Sequence, residues 1–468
     1  MKSKYAVLSF LIIIFPVFLW AQSTSASKKG SEVRTKFSIE MGEFNWRTAI
    51  ANTQKDTIKF LNLSHCQTDS LGIILAAYPH ITGLSLSSTL FNPDDLAGVH
   101  LDSLRRLDLS GNRLREIPAF VYQLKRLESL DLRSNFIDRL PGKLRKLKQL
   151  DVVDLSYNRL DSLGLTAGWN WQISKVYLNQ NNLDEVPRQI NRLRRIEELV
   201  MMNNELTSLP SRTGRIRTLR ALKLENNCIQ TDGQNLRPLR RLQLLNLDNN
   251  DINYLTPNLL ALKELNNLQF NNNAILDIPD WIDGFEQLEA FSMYKNRIRQ
   301  LPASFYNLRK LKVIDIYHNE LEVIDPAINN FSELEILYTS YNKLYSVPAE
   351  IADLPRLKAL YLHHNRLSYL PEEFGKLNNL EIFHVNNNYL SAFPLFVLTL
   401  KKLRELKVSN NDIRDFPREV TKLDELKVFF FNNELIKDFT GKEADTVEFL
   451  KNYMTANDIL IDYKAMAN

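Results

Sequence analysis

A single period governs this chain. Asparagine recurs every 23 residues without insertion or deletion, at Asn112, Asn135, Asn158, Asn181, Asn204, Asn227, Asn250, Asn273, Asn296, Asn319, Asn342, Asn365, Asn388 and Asn411. Each closes a nine-residue unit such as LRRLDLSGN (104–112) or LKALYLHHN (357–365). Within a unit apolar and polar residues alternate, as in Leu130, Asp131 and Leu132, which is the period of a half-buried strand. The asparagine stands where the chain leaves that strand, and its amide offers donors and an acceptor to backbone groups at the bend, so a column of them can form a ladder. Downstream, RLREIPAFVYQLKRL (113–127) spaces apolar residues three or four apart, as a 3₁₀ or irregular helical return would. A proline six residues after the asparagine excludes a regular strand there in ten repeats: Pro118, Pro141, Pro187, Pro210, Pro279, Pro302, Pro348, Pro371, Pro394 and Pro417. One such unit cannot bury its own apolar face, so units must stack around one elongated core.

The pattern L-x-x-L-x-L-x-x-N, followed by L-x-x-L-P, resembles the leucine-rich repeat. The resemblance implies an α/β repeat fold: a horseshoe solenoid with a parallel β-sheet on its concave face and 3₁₀ or irregular segments on its convex face. Extending the register back reaches Thr89 and Cys66, and forward Glu434, giving seventeen repeats over 58–438. At about 4.8 Å between strands, seventeen rungs make an inner surface roughly 80 Å long. After Glu434 the period stops. Thr440 and Glu443 read as a capping box ahead of Val447, Phe449, Leu450 and Tyr453, so 439–468 is expected to form a capping helix. Residues 37–57 are expected to cap the other end with Phe37, Ile39, Phe44, Trp46 and Ile50.

Lys2 and Lys4, an apolar run from Ala6 to Trp20, then Ala21 and a polar stretch have the order of a signal peptide cleaved after Ala21. The alternative is an uncleaved anchor, but the run is short of the roughly 20 residues a spanning helix needs. Residues 22–36, rich in Ser, Thr and Lys, read as a flexible linker. The mature chain is expected to be secreted or extracytoplasmic, in the periplasm or at the cell surface of a bacterium, with no transmembrane segment. Cys66 and Cys228 lie about seven rungs apart, on the order of 33 Å, too far for a disulfide. Extracellular relatives often carry terminal cysteine clusters, and this chain departs from that. The 23-residue length is more similar to Ras-pathway scaffolds, plant intracellular proteins and bacterial repeat proteins; a secreted bacterial member reconciles both features.

Charge is unevenly spread. Residues 101–250 hold 26 Lys and Arg against 17 Asp and Glu, and 251–468 hold 24 against 31. The surplus sits in return segments such as KLRKLKQL (143–150), INRLRRI (190–196) and SRTGRIRTLR (211–220), on the flank and outer face. Such a surface attracts nucleic acid, anionic lipid or acidic polysaccharide, or is simply solvated. Interleaved aromatics and nucleic-acid motifs are missing, so no nucleic-acid partner is expected. Asp108, Asp131 and Asp154 share a column that would hold a cation or a basic side chain, or stay hydrated as an ordinary L-D-L-S pattern.

The informative surface is the concave one. Repeats 11 to 15 place Tyr294, Tyr317, His318, Tyr338, Tyr341, Tyr361, His363, His364 and His384 at inner-face positions, including four of the chain's seven histidines. Tyrosine is enriched in binding hot spots, and it also simply suits strands. These positions point away from the core, so burial is not expected to explain them. No acidic residue or cysteine is expected beside the histidines, so a metal site is not expected. Motifs for phosphate loops, metalloproteases, serine hydrolases and C-x-x-C redox chemistry are missing, and no cofactor or enzymatic activity is expected. Trp169 and Trp171 read as filling a widened turn or as a second contact; Asn62 and Asn330 are glycan acceptors only in a eukaryotic host. The expected function is binding of a protein or peptide ligand on the concave face. A carbohydrate-binding or adhesive surface protein and a scaffold regulating a partner enzyme remain as alternatives.

Overall fold

The computed structural model describes residues 58–66, 71–96, 98–139, 142–161, 172–187, 190–191, 193–209, 216–231, 236–431 and 442–461. The expectations for 1–57, Glu434, Thr440, Trp169, Trp171 and Arg192 lie outside these residues. Each described unit contributes one three-residue strand, from β1 (Phe60–Asn62) and β2 (Gly83–Ser85) to β17 (Val428–Phe430). Consecutive strands pair in parallel with partners 23 residues apart, as in Phe60 with Gly83 and Ala359 with Ile382. The central residue of each strand points into the core: Leu107, Leu130, Val153, Leu360 and Phe383 are buried. Short 3₁₀ helices such as Ala119–Gln123, Ala303–Asn307 and Glu372–Lys376 close the opposite side. Several begin directly after the periodic proline, as at Pro118, Pro302 and Pro371, whose fixed φ pre-sets the entry. The fold is the open parallel solenoid that the period dictates.

The ladder is made of side chain to backbone bonds between rungs. In all fourteen repeats the asparagine Nδ2 donates to a carbonyl on the preceding rung. Its Oδ1 accepts a backbone N–H from that same rung. Asn250 is representative: Nδ2 donates to Leu224 and Leu247 at 3.1 Å each, and Oδ1 accepts from Ile229 at 2.9 Å. Thr89 and Cys66 occupy the same place near the amino end and donate to carbonyls of their own rung, Leu86 at 2.9 Å and Ser64 at 3.7 Å, with the Thr89 hydroxyl also donating to Asn112 Oδ1 at 3.1 Å. Both cysteines are free, as their separation requires.

Two features differ from the sequence reading or were missed by it. The residue before each ladder position takes positive φ in sixteen consecutive repeats, from His65 to Asn410, including Gly111. The helix α1 (Lys442–Ala456) is followed by an eighteenth strand, β18 (Leu460–Ile461), paired in parallel with β17. Leu460 N–H donates to Lys427 O at 2.8 Å, so the sheet edge is closed by added backbone as well as by the helix. The helix buries Val447, Leu450 and Met454, while Phe449 is exposed beneath the Arg418 guanidinium at 4.8 Å.

Because Asn250 satisfies three buried or half-buried carbonyls and one buried N–H, truncation strands several polar groups at once. Asn250→Ala should lower stability by about 2–4 kcal/mol, given roughly 1–3 kcal/mol for each buried group left unsatisfied. Urea unfolding of the two proteins measures this, and a loss under about 0.5 kcal/mol would show that water replaces the ladder.

Candidate functional site

The 23-residue register turns the concave face into a grid. Third strand residues stack as one column that runs Asp108, Asp131, Asp154 and, further along, Ser292, Asp315, Tyr338, Tyr361, His384 and Lys407. Residues two positions later form a second column containing Tyr294, Tyr317, Ser340 and His363. The positive-φ residues form a third, containing His318, Tyr341 and His364.

All nine residues singled out from the sequence meet in one continuous diagonal band over strands β11 (Ala290–Ser292) to β15 (Ile382–His384). Tyr338 and Tyr361 stack at 4.5 Å between centroids, and His384 meets Tyr361 edge-on at 4.8 Å. Tyr294, Tyr317 and Tyr341 follow at 5.2 and 5.0 Å. Tyr341 in turn lies flat between His318 at 5.9 Å and His364 at 3.8 Å. His363 links the columns, 6.1 Å from Tyr317 and 5.8 Å from His384, with Nδ1 2.7 Å from the Ser340 hydroxyl. Beside the rings, the first strand residues Ala290, Val313 and Ile336 form an apolar strip with Tyr317, Tyr338 and Tyr361, separate from the main core.

Burial therefore does act here, contrary to the expectation from position alone. Tyr338 is only 5% exposed and His384 7%, because rings on neighbouring rungs cover each other; Tyr341 keeps 37%. Burial, then His384, holds the His363 imidazole down to about 2, and burial also lowers His364 and His384. These three rings are neutral near pH 7. The expectation of no acidic neighbour is also corrected: Glu405 Oε1 lies 2.9 Å from His384 Nε2, and Lys407 Nζ lies 2.5 Å from the same oxygen. Burial raises the Glu405 carboxyl, but these contacts outweigh it and hold it down to about 2. With His384 neutral, Lys407 supplies the compensating charge. Among the described residues no three His, Cys, Asp or Glu side chains converge as a metal site.

The amino-side neighbours of the band are carboxylates that sequence reasoning passed over. Burial pushes Asp315 up to about 6, Asp248 to about 6 and Glu225 to about 7. Asp315 accepts from the Ser292 hydroxyl at 3.2 Å and from the Tyr317 N–H at 3.1 Å. In the aspartate column, Arg133 closes on Asp131 at 2.6 Å and reaches Asp154 at 3.5 Å, so a basic side chain of the chain itself occupies that place. The signal for it was Arg133 two residues beyond Asp131.

For Asp315 both states are protonated below the ordinary value of 3.8; between 3.8 and about 6 only the folded state holds the proton. Stability therefore falls as pH rises through that window, and the full cost of the buried charge is present above it. Asp315→Asn should melt higher than the parent at pH 7.5, with the gap closing toward pH 4. Thermal denaturation at both pH values tests this; a pH-independent gap would refute the buried charge.

A family profile described as leucine rich repeat matches residues 102–160, 194–252, 309–367 and 332–390. No curated protein matches the chain by sequence. Among solved structures, a leucine-rich-repeat protein of Leptospira interrogans shares 27% identity over 82% of this chain and 97% of its own, with a TM-score of 0.74. The Arabidopsis receptor kinase HAESA, solved with a peptide hormone and a co-receptor, shares 26% over 76% of this chain and 64% of its own, TM-score 0.55. An internalin of Listeria monocytogenes shares the fold at 21% identity, over 61% of this chain and 82% of its own, TM-score 0.51. The unbroken period, the inter-rung asparagine ladder and these similarities agree: the chain belongs to the leucine-rich-repeat family.

Proposed function

We propose that this chain is a secreted, non-enzymatic binding protein that holds an extended protein or peptide ligand along the ring band of rungs 11 to 15. The observation that carries the reading is the continuity of the band. Nine tyrosine and histidine side chains are ordered against one another on a strand face, beside an apolar strip. Rings already held in place lose little freedom on binding, and tyrosine adds a hydrogen-bonding tip to a large contact area. The neutral histidines offer further polar edges without repelling a cationic ligand. HAESA, at 26% identity, was solved with a peptide hormone.

Stacking also weighs peptide against sugar. A sugar packs on an open ring face, whereas Tyr338 and Tyr361 cover each other and Tyr341 lies flat against His364. Edges and hydroxyls face a ligand instead, which suits backbone amides and side chains. Secretion rests on the amino-terminal pattern of Lys2, Lys4, the apolar run and Ala21, which we read as a signal peptide over 1–21, followed by a linker over 22–36 and a cap over 37–57. No helix among the described residues is long and apolar enough to cross a membrane.

Panning the protein against a phage-displayed library of random dodecapeptides should enrich binders. Tyr338→Ala with Tyr361→Ala should weaken the best synthetic peptide by well over tenfold, and the more exposed Tyr341→Ala should weaken it in a protein whose melting temperature is little changed. Undiminished affinity in both variants would place the site elsewhere.

A further inference from the structure

We propose that the turns feeding strands β4 (Ser129–Asp131) to β10 (Asn267–Gln269) form a cationic ridge that binds a linear acidic polysaccharide. Lys125, Lys148, Arg194, Arg217, Arg240 and Lys263 occupy the same position of the repeat, two residues before the buried Leu or Ile that leads into their strands, and all six are exposed. Arg126, Arg195 and Arg241 widen the row at the next position and are exposed as well. From β4 to β10 the ridge spans about 30 Å at strand spacing. At rungs 8 and 9, Arg217, Arg237, Pro238 and Arg240 line a shallow cavity of about 270 Å³, a volume suited to a single anionic group.

The other half of the solenoid lacks such a row: at the same position rungs 11 to 16 hold Glu286, Arg309, Ser332, Pro355, Asn378 and Lys401. In rungs 11 to 16 several cations of the lead-in turns meet acids one rung away, Lys312 with Glu289 at 2.8 Å, Lys358 with Glu335 at 2.8 Å, Arg404 with Glu381 at 3.4 Å, and Arg356 with Glu333, while Lys310 and Lys402 bond the neutral Gln287 and Asn379. Among the described residues, Lys148, Arg194, Arg217, Arg240, Arg241 and Lys263 take part in no ion pair. A row of like charges at fixed spacing repels itself, and a polyanion laid along it relieves that repulsion and releases counterions. The row is one or two side chains wide and follows the edge of the sheet, which fits a thread of sugars with charges recurring along it. A membrane would need a broad face with apolar residues to insert; in the sequence the cations of the row are interrupted once, by Trp171 before β6 (Lys175–Tyr177). The ridge lies on the turns, not on the strand face, so it stands or falls independently of the ring band.

The full chain is measured against immobilised heparin, polygalacturonate, duplex DNA and phosphatidylserine vesicles at two salt concentrations. Arg194→Glu, Arg217→Glu and Arg240→Glu are combined in one variant, and Arg356→Glu, Lys358→Glu and Arg404→Glu in a control that alters as many charges on the paired half. The ridge variant should lose at least about thirtyfold in affinity for polysaccharide and about 2 from the slope of log affinity against log salt, by removal of three cations. The control should stay within about threefold, with melting temperatures verifying both folds. Binding to heparin alone supports sulfate as the recognised group, and binding to polygalacturonate as well supports carboxylate. Equal losses in both variants, an unaffected ridge variant, or binding confined to vesicles or DNA overturns the proposal.

Discussion

Each rung of this solenoid is fastened to the one before it through a single side-chain amide. A tight bend leaves backbone donors and acceptors facing inward with no strand to pair them, and buried polar groups of that kind are costly. Asparagine resolves the bend because it carries two donors and an acceptor on a short arm. Nδ2 reaches carbonyls of its own rung and of the previous one while Oδ1 takes the previous rung's N–H. Aspartate has no donor to give those carbonyls, and glutamine would overshoot by a methylene. The geometry works only if every rung has the same length, which is why fourteen repeats pass without one insertion.

Stacking at constant length makes every column of the solenoid a separate one-dimensional sequence. In the residue that precedes each strand from rung 11 to 16, charge alternates: Glu289, Lys312, Glu335, Lys358, Glu381 and Arg404. A shift by one rung would leave opposite charges adjacent, so this column does not choose the register; the ladder and the core do. Exposed pairs of this kind contribute little individually. Their effect is to balance charge along that one column, whereas Arg194, Arg217, Arg240 and Arg241 of rungs 7 to 9 take part in no ion pair among the described residues.

Much of this was legible because the period is legible. Counting by 23 from Asn112 places the strands, the ladder, the aspartate column and the rough position of all nine aromatic and histidine residues. What counting could not give was how side chains in adjacent rungs lie. Tyr338 is buried by Tyr361, a neighbour 23 residues away, and only ring orientation distinguishes a stacked band from nine separate projections. Arg133 folding back on Asp131, and Glu405 approaching His384, depend likewise on rotamers across the sheet. β18 escaped because Leu460 and Ile461 stand outside the period, and a two-residue strand has no pattern of its own to recognise.

The positive-φ column shows where the chain departs from its own economy. That conformation costs most L-residues roughly 1–2 kcal/mol and is eased by glycine or asparagine. The column obeys this at Gly111 and at Asn203, Asn226, Asn249, Asn272, Asn387 and Asn410. In the middle of the ring band it does not. His318, Tyr341 and His364 hold φ of 58°, 53° and 55°, and Tyr341 is a bulky residue in a place where its neighbours further along are asparagines. Asparagine there would relieve the backbone and lose the flat contacts that Tyr341 makes with the rings on either side. Outside the band the column also carries residues other than glycine or asparagine, at His65, Ser88, Ser134, Tyr157 and Gln180. The strain is therefore general to the column, and what distinguishes the band is that rings at His318, Tyr341 and His364 lie flat on one another from those positions, so the conformation orders an aromatic surface there.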